Sequence, residues 1–187
     1  MTKIKFGTDG WRAIIAKEYT TDNVARVSIA VADWLNENND NPSVVIGHDC
    51  RFSGEMFAET AAKVLASKGV LVKIAKGFVS TPMFSLGVVK EKASLGVVIT
   101  ASHNPASYNG YKLKGHFGGP LPPAQVQEVQ DMIPDTADKS FEKIALEGNS
   151  LLEYNDMETM YVNKVEENFD LQAIKDSGLQ FGYDSMY

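Results

Sequence analysis

Residues 99–112, ITASHNPASYNGYK, bring several kinds of chemistry together on one short segment. Ser102 carries a hydroxyl, His103 an imidazole and Asn104 a carboxamide, and Lys112 adds an ammonium group. A hydroxyl beside cationic and amide donors suits either a nucleophile in a covalent transfer or a binding site for an anion. The segment is therefore the first candidate for a functional site.

Three interpretations fit this segment. In the first, Ser102 is an acyl-transfer nucleophile activated by His103, but adjacent residues in extended backbone point to opposite sides and no G-x-S-x-G elbow surrounds the serine. In the second, Ser102 carries a phosphoryl group whose charge is neutralised by Lys112, and His103, Asn104 and backbone N–H groups add donors. In the third, the segment is a polar turn whose side chains only satisfy the backbone. The second interpretation uses every polar member of the segment, and the residue types alone leave the third open.

The composition is that of a globular protein in a reducing compartment. The 187 residues are 44% hydrophobic, which suffices for the core of one domain, or of one domain and part of a second. No apolar run approaches the ~20 residues of a transmembrane helix, and the N-terminus lacks a signal-peptide pattern. The single cysteine, Cys50, excludes an internal disulfide and a cysteine-clustered metal site. We expect a soluble cytoplasmic protein with no membrane partner.

Charge is distributed unevenly along the chain. Residues 1–120 contain 14 Lys and Arg against 10 Asp and Glu, whereas residues 121–187 contain 4 against 14. The candidate segment lies in the mildly basic part, which favours a small anionic ligand. No Lys/Arg cluster or basic stripe interleaved with aromatic residues is present, so we do not expect nucleic-acid binding.

The pattern of apolar residues predicts the elements that position the segment. It indicates strands at 43–49, 70–76 and 95–100, alternating with helices that begin near Thr21, Ser53 and Thr81. This alternation is typical of an α/β layer structure with a mostly parallel sheet, in which ligands collect beyond the carboxyl ends of strands. Ser102 follows the third of these strands. Residues 110–115 predict a strand that returns antiparallel and brings Lys112 beside Ser102.

The last third of the chain gives weaker signals. Apolar residues between Val126 and Ile133 predict a helix after the Gly/Pro cluster at 118–123. Residues 134–156 are polar with weak periodicity, which indicates a loop or a frayed helix. A further helix is predicted around 160–169, and residues 179–187 begin as a strand.

Four short motifs occur along the chain: FGTDGWR at 6–12, GHDCRFS at 47–53, TASHNP followed by YNGYK at 100–112, and YDSM at 183–186. They resemble, in the same order, four motifs of the α-D-phosphohexomutases, the family of phosphoglucomutase and phosphomannomutase. Those are the F-G-T-D-G-x-R-G signature, G-x-D-x-R-x-S, the phosphoserine loop, and the D-x-M-x-G that joins the first domain to the second. Ala13 departs from the pattern, which has a glycine at that position.

The resemblance spans the chain and implies the first of the family's four domains. That domain has a three-layer α/β/α fold with a mixed, mostly parallel sheet. Residues 1–178 correspond to it, and residues 179–187 to the start of the strand that leads into the second domain. The metal-binding, sugar-recognition and phosphate-binding loops of the other three domains have no counterpart here. The resemblance therefore implies that those domains are partners and that this domain alone is inactive or nearly so.

The resemblance also implies roles for individual residues. Ser102 is the residue that is phosphorylated, and it exchanges its phosphoryl group with the 1- and 6-positions of a hexose phosphate through a hexose 1,6-bisphosphate. Lys112 acts in proton transfer or steadies the transferring group, and Arg12 clamps the loop or the phosphate. His103 and Asn104 shape the loop or donate to phosphate. A Mg²⁺ ion binds an oxygen of phosphorylated Ser102 and three aspartates of the second domain.

Two further expectations complete the sequence-based hypothesis. Asp49 and Arg51 are predicted to form a structural ion pair at a strand-to-helix turn rather than to act in catalysis. The alternative to the enzyme is a non-catalytic phosphosugar-binding module that keeps the loop without the transfer.

Overall fold

The computed structural model describes residues 3–7 and 10–184. The strands in these ranges are β1 (Trp11–Ile14), β2 (Ser43–His48), β3 (Leu71–Ala75), β4 (Leu95–Ile99), β5 (Tyr108–Gly115) and β6 (Leu152–Asn155). The helices are α1 (Thr21–Asn38), α2 (Gly54–Ser67), α3 (Thr81–Lys90), α4 (Pro123–Asp131), α5 (Met157–Asn168) and α6 (Leu171–Asp176), with a 3₁₀ helix at Lys139–Lys143. None of the helices in the described ranges is long and apolar enough to cross a bilayer.

One mixed sheet forms the middle layer, with strands in the order β1-β5-β4-β2-β3-β6. Strands β4, β2, β3 and β6 are parallel, β5 is antiparallel to β4, and β1 is antiparallel to β5. Alternate residues of β2 face opposite layers: Val44 and Ile46 pack in the core with α1 and α2, whereas Val45 packs with α3 and the start of α5. The predicted three-layer α/β/α fold, with its mostly parallel sheet, is confirmed.

The strand order reverses between β2 and β4. From β2 the chain passes through α2 on one face to β3, and from β3 it passes through α3 on the opposite face to β4. Strand β4 lies on the other side of β2 from β3. Because the two crossover helices diverge there, the loops after β2 and β4 meet at a crevice, which is where such sheets bind ligands.

The helix starts lie within a residue of their predicted positions. Thr20 caps α1 and Ser80 caps α3, each with a side-chain oxygen that accepts an N–H group of the first turn. The predicted starts, Thr21 and Thr81, are the first residues inside these helices. Ser53 precedes α2 as predicted, but its backbone is left-handed, with φ of 59°, and its side chain makes no capping hydrogen bond. Its position at the helix start was predicted correctly, and it does not cap the helix because a side-chain cap requires an extended backbone.

Two predictions for the last third of the chain were incorrect. The segment 134–156 is neither a plain loop nor a frayed helix, because it contains the 3₁₀ helix and β6. Among the described strands, β6 pairs with β3 alone and is half-exposed, so it lacks the strong apolar pattern of a buried strand. Residues 179–184 form no strand and are exposed, since none of the described strands pairs with them. Residues 185–187 of that predicted strand lie outside the described ranges.

A stack of aromatic rings fixes the N-terminal segment against the core. Tyr19 stacks on Trp11 at a centroid distance of 4.6 Å, with 23° between the ring planes, and lies edge-on to Phe57 at 4.7 Å. The Tyr19 hydroxyl is buried and meets no hydrogen-bonding partner among the described residues. Burial raises the pKa of Tyr19 well above its ordinary value, so the hydroxyl stays protonated and its donor remains unused. An unpaired buried hydroxyl of this kind costs about 1–3 kcal/mol.

We predict that Tyr19→Phe raises the free energy of unfolding by up to about 1 kcal/mol, because it removes the unpaired hydroxyl and keeps the ring stack. The matched control is Tyr111→Phe. Tyr111 is equally buried, but its hydroxyl lies 3.1 Å from Ser28 Oγ. This control is expected to lose about 1 kcal/mol in urea unfolding. Equal losses of unfolding free energy in the two variants would contradict the conclusion that the Tyr19 hydroxyl is unpaired.

Candidate active site

Two loops meet at the crevice between β2 and β4. The first begins with Asp49, directly after β2, and leads into α2. The second, which we call the Ser102 loop, comprises residues 100–108 and connects β4 to β5. The antiparallel return predicted for β5 is confirmed, because Ile99 pairs with Tyr111. Ser102 therefore lies at the edge of the sheet where ligands are expected.

Ser102 has an unusual backbone conformation. Its φ of 56° is left-handed, a region that L-residues with a Cβ rarely adopt. Its N–H donates to Thr100 Oγ1 at 3.0 Å, and its own hydroxyl is exposed, 3.3 Å from His103 Nδ1. The expectation that His103 would point away from Ser102 was wrong, because it assumed an extended backbone and Ser102 is left-handed. A left-handed serine requires support from its surroundings, which neighbouring side chains supply.

Arg51 supplies most of that support. Its Nη1 donates to the carbonyl oxygens of Pro105 and Tyr108, both at 2.9 Å. Its Nη2 donates to the carbonyl oxygens of Ser102 at 2.8 Å and Asn104 at 2.5 Å. One planar guanidinium thus holds four carbonyl groups of the Ser102 loop, which is a geometry that a lysine cannot reproduce.

Asp49 joins Arg51 to the other side of the loop. Its Oδ1 accepts the backbone N–H of Arg51 at 3.0 Å, and its Oδ2 lies 3.6 Å from Arg51 Nε. The same Oδ2 accepts the hydroxyl of Thr100 at 2.5 Å, and Thr100 in turn accepts the N–H of Ser102. The predicted Asp49–Arg51 pair is present, and it belongs to a continuous network that ends at the backbone of Ser102.

Asn104 closes the turn with its own side chain. Its Nδ2 donates to the Ala101 carbonyl at 2.7 Å, and its backbone N–H donates to the same oxygen at 3.1 Å. This arrangement shapes the loop and uses one of the two hydrogens of Nδ2.

Arg12 and Lys112 lie on the two strands that extend the sheet beyond the loop. Arg12 on β1 pairs with Gly110 of β5, and Lys112 on β5 pairs with Val98 of β4. A Cβ at Gly110 would lie 3.1 Å from Arg12 Cγ and 2.5 Å from the Thr100 carbonyl oxygen. Residues 110 and 112 share one face of the sheet, so the glycine leaves room for the Arg12 side chain on the face that carries Lys112.

A cavity of about 350 Å³ lies beside the Ser102 loop. Its walls are formed by Asp49, Cys50, Arg51, Phe52, Ser102, Asn104 and Ala106. A larger cavity of about 420 Å³ lies between α3 and α5, but the network around Ser102 does not reach it. Within the described ranges, no group of three or more His, Cys, Asp or Glu residues could hold a metal ion.

Residues 3–140, more than half of the chain, match the family described as phosphoglucomutase/phosphomannomutase, alpha/beta/alpha domain I. The chain belongs to the phosphoglucomutase/phosphomannomutase family. The resemblance inferred from the sequence motifs is thereby confirmed. The first of those motifs includes Thr8 and Asp9, which lie outside the described residues, and the last extends beyond residue 184.

Curated members of the family are much longer than this chain. A phosphoglucomutase from Staphylococcus saprophyticus is 36% identical over 133 residues, which cover 70% of this chain and 24% of that protein. A phosphoglucosamine mutase from Clostridium botulinum is 34% identical over 159 residues, which cover 81% of this chain and 35% of that protein. The chain thus spans between about a quarter and a third of these relatives.

Solved structures of family members share the fold. A protein from Thermus thermophilus, described as a phosphomannomutase, superposes with a TM-score of 0.84 and 34% identity, over 92% of this chain and 38% of that chain. The open form of parafusin from Paramecium superposes with a TM-score of 0.77 over 93% of this chain and 37% of that chain. Its identity of 19% makes it a match of fold alone.

Sequence reasoning underestimated Arg51. The G-x-D-x-R-x-S motif gave its position, and the ion pair with Asp49 was expected, but the four bonds to the Ser102 loop were not. The nearest of these carbonyl oxygens belongs to a residue more than fifty positions away in the chain. The motif itself was the available signal, since it places an arginine directly after a strand whose carboxyl end borders the crevice. Arg12, Lys112 and His103 remain predicted site residues.

We predict that Thr100→Val lowers the free energy of unfolding by about 2 kcal/mol, because both the Ser102 N–H and the Asp49 carboxylate lose their partner. Thr100→Ser is the matched control, since it keeps the hydroxyl and loses only a methyl group, worth about 0.8 kcal/mol. Urea unfolding of the two variants measures the difference. A serine variant as unstable as the valine variant would show that the hydroxyl network contributes nothing.

Proposed function

We propose that the chain is domain I of a phosphohexomutase and that Ser102 carries the phosphoryl group that is moved between the 1- and 6-positions of a hexose phosphate. The observation that carries the proposal is the exposed hydroxyl of Ser102, held in a left-handed turn at the crevice of a family-typical sheet. Relatives named for glucose and glucosamine phosphates support the substrate class and leave the sugar itself undefined.

The proposed transfer conserves the phosphoryl group. In the first step, the bond between the Ser102 oxygen and phosphorus breaks, and a new bond forms between phosphorus and a hydroxyl oxygen of the hexose monophosphate. The sugar hydroxyl gives up its proton, the Ser102 oxygen takes up a proton, and the product is a hexose 1,6-bisphosphate. In the second step, the bond between phosphorus and the other sugar oxygen breaks, and that phosphoryl group transfers to the Ser102 oxygen. Ser102 gives up its proton, the sugar oxygen takes one up, and the isomeric monophosphate leaves.

Residues of this chain would act mainly through position and charge, which is what phosphoryl transfer needs most. Lys112 would steady the transferring group or move the proton, and Arg12 would bind a phosphate oxygen with its paired donors. His103 lies close enough to the Ser102 hydroxyl to influence its proton. Asn104 would act through the shape of the turn.

A Mg²⁺ ion would contribute positive charge at the transferring group. Among the described residues, the ligand on offer would be a phosphate oxygen on Ser102, because they contain no cluster of acidic ligands. The remaining ligands would come from the second domain that the family resemblance implies, and no step above depends on them. The length of the relatives supports the same division, in which further domains complete the site and domain I alone is inactive.

The proposal predicts reversible phosphorylation of Ser102. We expect the full-length protein, incubated with a hexose 1,6-bisphosphate and Mg²⁺, to gain one phosphate on the peptide containing Ser102 and to lose it when a hexose monophosphate is added. Peptide mass mapping measures both steps. Ser140, an exposed serine of the 3₁₀ helix, provides the matched control, since Ser140→Ala should label normally and Ser102→Ala should not.

Two results would contradict the proposal. Mutase activity that survives in Ser102→Ala without another phosphorylated residue would exclude the serine carrier. A folded protein that binds a hexose phosphate but leaves Ser102 unmodified would make the chain a phosphosugar-binding module.

A further inference from the structure

The donors of the Arg51 guanidinium are already occupied by the protein. Each Nη atom has two hydrogens, and each makes two bonds to carbonyl oxygens of the Ser102 loop. The remaining donor, Nε, lies 3.6 Å from the Asp49 carboxylate, and the side chain is only 13% exposed. Although Arg51 lines the cavity, it has no N–H group left for a phosphate. Its role must be sought in what it does to the loop.

The bonds to Arg51 fix the direction of the peptide groups in the loop. In a trans peptide, the carbonyl of one residue and the N–H of the next point in opposite directions, and the described chain contains no cis bond. The carbonyls of Ser102 and Pro105 point at Arg51. The N–H groups of His103 and Ala106 therefore point away from it.

These two N–H groups have no acceptor among the described residues. By contrast, the neighbouring N–H groups of Asn104 and Tyr108 donate to carbonyls within the loop. Backbone N–H groups that point out of a turn are available to bind phosphate oxygens. His103 directly follows Ser102, and Ala106 lines the same cavity as Ser102.

We propose that Arg51 is a positioning residue that turns the backbone N–H groups of His103 and Ala106 outward as donors to a phosphoryl group at Ser102. The identity of the anion rests on the proposed function, whereas the geometry of the loop is that of the unphosphorylated protein. An arginine at a phosphate site can bind the phosphate itself or hold the loop that binds it. Arg51 has the second role, since it binds the carbonyl groups of the loop and the backbone N–H groups contact the phosphate.

The test uses inorganic phosphate and the amide signals of ¹⁵N-labelled protein, so it does not require any transfer to Ser102. We expect phosphate to move the amide proton signals of His103 and Ala106 downfield in the wild-type protein, since a hydrogen bond to an anion forms at each. Unchanged signals at both residues under saturating phosphate would overturn the proposal, whatever any variant does.

Arg51→Lys tests the positioning step, because lysine keeps the charge and loses the four-way contact. We expect phosphate to bind this variant at least about tenfold more weakly, and hydrogen exchange at Asn104 and Tyr108 to become at least about tenfold faster. The matched control is Arg26→Lys, whose parent arginine also donates to a backbone carbonyl, that of Pro134, far along the chain from the Ser102 loop. It should behave as wild type in the loop.

The outcomes distinguish this proposal from the proposed function. If Ser102 is never phosphorylated but phosphate shifts both amides and Arg51→Lys weakens that binding, the positioning role stands and the mutase assignment fails. If Ser102 is phosphorylated but Arg51→Lys leaves phosphate binding and loop exchange unchanged, the positioning role fails and the mutase assignment stands.

Discussion

One largely buried cation, Arg51, determines the shape of the candidate site. A left-handed serine costs on the order of 1–2 kcal/mol relative to an ordinary conformation, and four carbonyl groups that point inward would repel one another without a cation between them. The guanidinium offsets both costs because its planar donors match four carbonyl oxygens at once. Asp49 balances its charge and links it to Thr100, so the loop is held from both ends.

The sheet makes this contact available. Strands β2 and β4 are neighbours although a helix, a strand and a second helix separate them in sequence. Their adjacency brings Arg51 under a loop that begins about fifty residues later. At the start of the loop, Gly110 leaves space for Arg12 next to the Thr100 carbonyl. The layer architecture therefore brings Arg51 to the Ser102 loop and Arg12 near the first residue of that loop.

Much of this arrangement could be predicted from local sequence. The apolar pattern located β2, β3 and β4, and the motif around Ser102 indicated a functional loop at the carboxyl end of a strand. The contacts of Arg51 could not be predicted in the same way, since they depend on which strands are neighbours in the sheet. Strand β6 was missed because an edge strand with one partner buries little apolar surface. Residues 179–184 have a strand-like composition, but composition alone cannot supply a pairing partner.

The central claim is that the Ser102 turn is formed before any phosphate arrives, and the backbone conformation of Ser102 tests it most directly. Three-bond couplings and ¹⁵N relaxation of the unmodified protein measure the φ angle and the mobility of this residue. The structure predicts a single left-handed conformation near 56° with an order parameter close to the ~0.85 of rigid backbone. An extended or averaged φ with an order parameter below ~0.6 would contradict a loop preformed by Arg51.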